Sequence, residues 1–139
     1  LAHKATYDGY QAINHIINKP SPIRFDLVPG VVFSFPEIAS VGLREDDLEK
    51  GTYTAHKTVY KSNAKAQCMN ETDGFVKMIV SDDDKILGVH IIGAHASDLI
   101  HECTAVMNMD ADINQLFNMI HSHPTISEVL SETFKHLNA

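Results

Sequence analysis

Nine histidines stand among the 139 residues. An unperturbed imidazole titrates at about 6.5, so these are the side chains best suited to move protons near neutral pH. The densest group is His121-Ser122-His123-Pro124-Thr125-Ile126-Ser127-Glu128. Pro124 fixes the chain just outside a helix start and permits a cis His123–Pro124 bond. Glu128, one turn into that helix, can then face the His123 ring. A carboxylate on one ring nitrogen fixes the tautomer and raises the basicity of the other. The product is a His–Glu general acid/base pair without a nucleophile of its own.

The same residues spell a second, purely structural pattern. Thr125-x-x-Glu128 is a capping box ahead of a helix over Val129–Leu137. In that reading Glu128 only returns to the backbone N–H of Thr125, and His123 is loop punctuation. Spacing alone leaves both readings open. A zinc site from His121, His123 and a third ligand lacks any supporting cysteine or carboxylate spacing, so no metal is expected. His15, His56 and His136 read as surface residues. His90, in an apolar run, reads as a satisfied core histidine, and the spacing of His95 and His101 suits no shared helical face.

The chemistry that is missing narrows the field. No glycine-rich dinucleotide turn, no phosphate-binding G-x-x-x-x-G-K-[ST] and no G-x-S-x-G occurs. The net charge of −7, from 11 basic and 18 acidic residues, argues against a nucleic-acid partner. No apolar run approaches the roughly 18 residues of a membrane helix, and no signal peptide is legible at the start. Cys68 and Cys103 form no C-x-x-C and suggest a reducing compartment or buried thiols. The chain begins at Leu1 and reads as a piece of something longer. Any catalytic residue here is expected to be lent to another domain or subunit.

The elements that must position the histidines follow from periodicity. Leu1–Ile17 predicts a helix, with Ala5, Ala12, Ile13, Ile16 and Ile17 on one stripe. Lys19-Pro20-Ser21-Pro22 ends it, and a linker runs to Pro29-Gly30. Val31–Phe35 predicts a strand bounded by prolines, continued by Ala39–Gly42 after a kink. Arg44–Lys50 predicts a short charged helix closed by Gly51. Thr52–Lys61 is a strand, Asn63–Thr72 reads as irregular, and Phe75–Val80 with Ile86–Ile92 forms a hairpin around an aspartate-rich turn. Three apolar stripes then predict three helices, around Leu99–Met107, Ile113–Ile120 and Val129–Leu137. The order predicts α+β: an antiparallel β-sheet covered on one face by helices, preceded by one N-terminal helix.

The sequence also carries a resemblance. His-x-His-Pro-Thr-x-x-Glu at 121–128 resembles the active-site signature of the pyridine nucleotide–disulfide oxidoreductase family, class I, in its dihydrolipoamide dehydrogenase branch. Leu1-Ala2-His3-Lys4-Ala5 resembles the start of the last helix of the flavin domain. Val28-Pro29-Gly30-Val31-Val32-Phe33 and Pro36-Glu37-Ile38-Ala39-Ser40-Val41-Gly42 resemble that family's PxVVYTxPExASVG strand. Asn63-Ala64-Lys65-Ala66 resembles its N-x-R-A, and Thr72–Lys77 with Ile86–Gly93 resembles its central hairpin. Asp110-Ala111-Asp112 stands where the family often has Gly-Ala, and Asn118-Met119-Ile120 where Arg and Cys are common.

The resemblance implies a division at 1–27, helix and linker of an FAD-binding domain, and 28–139, the C-terminal dimerisation domain. It implies an enzyme that oxidises dihydrolipoamide to lipoamide with FAD and NAD, both bound in the full-length protein and neither expected on this chain alone. His123 and Glu128 would be catalytic, with His121 and Pro124 in support. Leu1, Ala2 and His3 would lie beside the flavin, and His123 and Pro124 beside the flavin of the partner subunit. Implied partners are a second copy and a lipoyl-bearing acyltransferase complex, with no nucleic acid and no membrane, in a bacterial cytoplasm or a mitochondrial matrix. The residues alone leave open a stand-alone dimerisation or binding module, or a glutathione reductase-like relative.

Overall fold

In the computed structural model, which describes residues 1–137, the elements follow the predicted helix–strand–helix order. Helix α1 spans Ala2–Ile16. Five strands follow: β1 Gly30–Val32, β2 Glu37–Gly42, β3 Tyr53–Val59, β4 Phe75–Ser81 and β5 Ile86–Gly93. Helix α2, Ala64–Met69, lies between β3 and β4. Helices α3 Ala96–Asn108, α4 Ile113–Phe117 and α5 Glu128–Leu137 complete the order.

The strands form one antiparallel sheet in the order β1-β2-β5-β4-β3. Successive side chains alternate between faces. Ala39 and Val41 on β2, Val89 and Ile91 on β5, and Val76 and Met78 on β4 share register rows and are buried. Helix α3 packs over β2 and β5, and α5 over β3 and β4. Their apolar stripes, Leu99, Ile100, Cys103 and Met107 on α3 and Val129, Leu130 and Phe134 on α5, close the core. The opposite face carries Ile38, Ser40, Phe75, Lys77, His90 and Ile92, with Arg44, Glu45 and Asp46 lining the hollow over it. Gly93, at φ +150°, ends β5 beneath the Tyr60 ring, where an added Cβ would lie 2.6 Å from a ring carbon. The Tyr60 hydroxyl there donates to the Ala94 carbonyl at 2.9 Å.

Several elements differ from expectation. The strand predicted over Val31–Phe35 stops at Val32, and Ala39–Gly42 belongs to a separate strand paired antiparallel to it. Phe33–Pro36 is the reversal between them, so Phe33 and Phe35 stand 82% and 90% exposed. Arg44–Lys50 holds only a 3-10 turn, Glu45–Asp47. The segment has no apolar stripe to offset the cost of nucleating a helix, and Lys77 draws the Glu45 carboxylate toward β4 at 2.6 Å. Asn63–Thr72 contains α2, started by Asn63, whose Oδ1 accepts the Ala66 N–H at 2.9 Å. Helix α4 ends at Phe117, leaving Ile120 in solvent. Helix α1 forms as predicted, but its apolar stripe buries nothing against this chain.

The departure at Asp110 has a local explanation. Its backbone is left-handed, φ +52°, the conformation that glycine adopts most freely. The Asp110 carboxylate accepts a hydrogen bond from Arg24 at 3.0 Å, tying the linker after α1 to the end of α3. Asp26 accepts from the same guanidinium at 2.7 Å, and the two carboxylates hold Arg24 charged.

Candidate functional site

The segment between α4 and α5 carries the histidines. His123–Pro124 is a cis peptide. Glu128, the first residue of α5, accepts the Thr125 backbone N–H at 2.9 Å. Its other oxygen accepts the His123 Nδ1–H at 2.9 Å. One carboxylate therefore serves the Thr125 N–H and the imidazole together, the Glu128 half of the expected capping box, while the Thr125 hydroxyl turns to the Ser122 carbonyl. The Thr125 N–H first, and His123 second, hold the Glu128 carboxyl below the usual carboxylate range. The ring has its tautomer fixed at Nδ1–H. The side chain is 70% exposed, so Nε2 is the nitrogen available to a reacting group.

Three further contacts hold the segment. The Thr125 hydroxyl donates to the Ser122 carbonyl at 2.7 Å. Buried Asn63 caps α2 with its oxygen and donates with its amide to the Thr125 carbonyl at 3.0 Å. His121 turns inward and donates from Nε2 to Glu102 Oε1 at 2.9 Å. Its ring lies 6.4 Å from that of Phe134, and its Nδ1 is buried without a partner. Glu102 went unnoticed in the sequence. The signal was there: it precedes Cys103 and follows Leu99 by three residues, so a carboxylate borders the buried stripe of α3.

Leu1, Ala2 and His3 do not join this cluster. They line a cleft of about 710 Å³ between α1, the linker, β1 and α3, with Arg24, Phe33 and His101 among its other walls. His3 donates from Nε2 to the Pro29 carbonyl at 2.9 Å. Helix α1 begins with no side-chain cap and no acidic residue in its first turn. Its first N–H groups are therefore free to meet an acceptor or partial negative charge. That chemistry fits one edge of a flavin ring. Nothing among the described residues fits the phosphates of FAD or of NAD, because no glycine-rich turn is present.

The remaining candidates resolve as follows. His90 sits on the open sheet face, not in the core, and donates to the Leu43 carbonyl at 3.0 Å. His56 is half-buried, because its register partner Met78 points to the covered face. His15 is exposed, and the side chain of His136 lies outside the described residues. Cys68 is exposed, whereas Cys103 is buried and its thiol is pushed well up by burial. Among the described residues no group of three or more His, Cys, Asp or Glu side chains could hold a metal ion. No helix among them is long and apolar enough to cross a membrane.

Comparison with known proteins gives the family of the chain. Residues 28–134 match the family model described as pyridine nucleotide-disulphide oxidoreductase, dimerisation domain. Dihydrolipoyl dehydrogenase 2, mitochondrial, of Arabidopsis thaliana is 40% identical over 135 residues, covering 95% of this chain and 27% of that protein. Dihydrolipoyl dehydrogenase of Synechocystis sp. is 37% identical over 142 residues, covering 97% of this chain and 30% of that protein. The crystal structure of LpdA from Mycobacterium tuberculosis superposes with a TM-score of 0.91 at 27% identity, covering all of this chain and 31% of that one. The chain thus spans less than a third of the length of these relatives. With its α+β sheet, its helix-covered face and its His123–Glu128 segment, it belongs to the dimerisation domains of the pyridine nucleotide-disulphide oxidoreductases and is similar to those of dihydrolipoyl dehydrogenases.

Proposed function

We propose that this chain is the dimerisation and active-site-completing part of a flavin disulfide oxidoreductase that oxidises dihydrolipoamide to lipoamide with NAD. The observation that carries the reading is the His123–Glu128 pair, with Nδ1 engaged at 2.9 Å and the rest of the ring exposed. His123 Nε2 takes the proton of a substrate thiol, since the thiolate is the nucleophile. That thiolate attacks one sulfur of a redox disulfide carried elsewhere in the complete enzyme. The second substrate thiolate then closes the lipoamide ring and releases the enzyme dithiol. Glu128 keeps the proton on Nδ1 and stabilises the imidazolium that forms. FAD, when bound, supplies the two-electron transfer between that dithiol and NAD.

Residues 1–27 are read as the end of an FAD-binding domain, with Leu1, Ala2 and His3 offering backbone N–H groups to the flavin. This is supported by the uncapped start of α1 and by the apolar side chains that α1 leaves in solvent. Residues 28–139 are the dimerisation domain proper. The second copy receives His123 and Pro124 beside its flavin, so each site needs both subunits. A lipoyl-bearing acyltransferase complex is the expected source of substrate, and a bacterial cytoplasm or a mitochondrial matrix the expected setting.

The test is an assay of the full-length protein with dihydrolipoamide and NAD beside one with glutathione disulfide and NADPH. Dihydrolipoamide-dependent NADH formation is expected. Activity confined to glutathione disulfide would replace this reading with the glutathione reductase-like one.

A further inference from the structure

From Phe117 to Pro124 only one residue is not exposed, His121. Ile120 is 96% exposed, and Met119, Ser122 and His123 also face solvent. No apolar side chain pins this stretch to the core. The His121 imidazole does so, being 7% exposed and bonded through Nε2–H to Glu102 Oε1 at 2.9 Å. Glu102 lies in the middle of α3, between buried Ile100 and Cys103, so its carboxylate rides on a helix fixed to the sheet. On the far side of His123 the chain is held by Glu128 and by Asn63. His123 thus hangs between two anchors, one of which touches it directly.

Packing alone does not account for an imidazole at 121. Its Nδ1 is buried with no partner, and a phenyl ring would fill the same place without that unpaired nitrogen. What imidazole adds is one directed N–H to a carboxylate that can only accept it. A charge-assisted bond of this kind fixes direction as well as distance.

We propose that Glu102 is a positioning residue for the His123–Glu128 pair, acting through His121, so that two His–Glu contacts in series set where the exposed imidazole is presented. The inference rests on the acid/base reading of His123. Proton transfer needs heavy atoms within about 2.6–3.2 Å, and a displacement of about 1 Å can cost roughly 10²-fold. A loop released at its upstream end therefore loses turnover in the thiol step, while the binding of NAD, to which no residue of this loop is assigned, is expected to be unchanged.

Two measurements test this. In the complete enzyme, Glu102→Ala is expected to lower kcat about 10- to 100-fold with KM for NAD unchanged. Glu102→Gln keeps an oxygen that accepts the His121 N–H and restores most of the turnover. His121→Phe, which fills the volume without the N–H, behaves like Glu102→Ala. In the 139-residue chain, ring ¹⁵N shifts report the His123 tautomer directly. Wild type and Glu102→Gln should show a proton on Nδ1, and Glu102→Ala and His121→Phe an average of both tautomers, at a temperature where melts show each variant folded. Wild-type turnover and wild-type His123 shifts in a folded Glu102→Ala overturn the positioning role. So does a Glu102→Gln as impaired as Glu102→Ala. If His123→Gln is inactive in the same assay, those failures leave the acid/base reading standing. If His123→Gln is fully active, that reading falls first and the proposal with it.

Discussion

Glu128 carries two duties on one carboxylate, and pH separates them. Bonds from the Thr125 N–H and from His123 favour its charged form, so its folded-state pKa lies below the value of about 4.3 expected in the unfolded chain. A depressed carboxylate contributes stability that is fully present above the unfolded value and is lost as pH falls through the folded one. The difference in melting temperature between wild type and Glu128→Gln should therefore be present at neutral pH and shrink below about pH 4.3. A difference that grows in acid would contradict the assignment. Gln still serves as the capping residue, so the loss of activity in Glu128→Gln measures the pairing with His123 and not the cap. His121→Gln keeps a donor but not the ring, and is expected to impair turnover less than His123→Gln.

At the scale of elements, Asn63 joins α2 to the site segment, because its amide oxygen caps the helix and its amide nitrogen holds the Thr125 carbonyl. Asn63→Ala loses a cap worth about 1 kcal/mol and a bond to a part-buried carbonyl worth about 1–3 kcal/mol. A fall in melting temperature of roughly 8 °C or more is expected for a domain of this size. Asn63→Ser keeps a neutral capping oxygen and loses the amide donor to the Thr125 carbonyl, so it should fall less. No loss in that second variant would show that the link to Thr125 carries nothing. This joint was half legible in the sequence. Asn63-Ala64-Lys65-Ala66 stood out as a motif, but a six-residue helix is too short for an apolar period, and only its cap residue marked it. The long helices and the β4–β5 hairpin were legible because stripes such as Leu99–Cys103–Met107 and alternations such as Val76–Met78 each face one core. The β1–β2 reversal was not, because Phe33 and Phe35 look like buried strand residues and are held out in solvent by a turn at Pro36. His123 and Glu128 were legible because their partners are five positions apart. Glu102 was not, because its contact with His121 spans 19 positions and exists only once α3 is packed.

Across the whole molecule, apolar surface remains where nothing in this chain covers it. Phe33, Phe35, Ile38 and Ile120 are exposed, as are Tyr7, Tyr10, Ile13, Ile16 and Ile17 of α1. Patches of this kind mark interfaces on soluble domains. Sedimentation of the 139-residue chain should show mass rising with concentration toward a dimer, and a strict monomer would mean that the interface is not complete on this chain. If His123 acts as the proposed general base, the absence of a nucleophile beside it among the described residues means that it works in a cleft completed by another domain or subunit. The most direct test is the turnover of His123→Gln in the full-length enzyme with dihydrolipoamide, measured on a folded dimer. A loss of about 10²–10⁴-fold, the contribution of a general base, is the predicted result, and near wild-type turnover would contradict the assignment of His123 as the group that takes the proton.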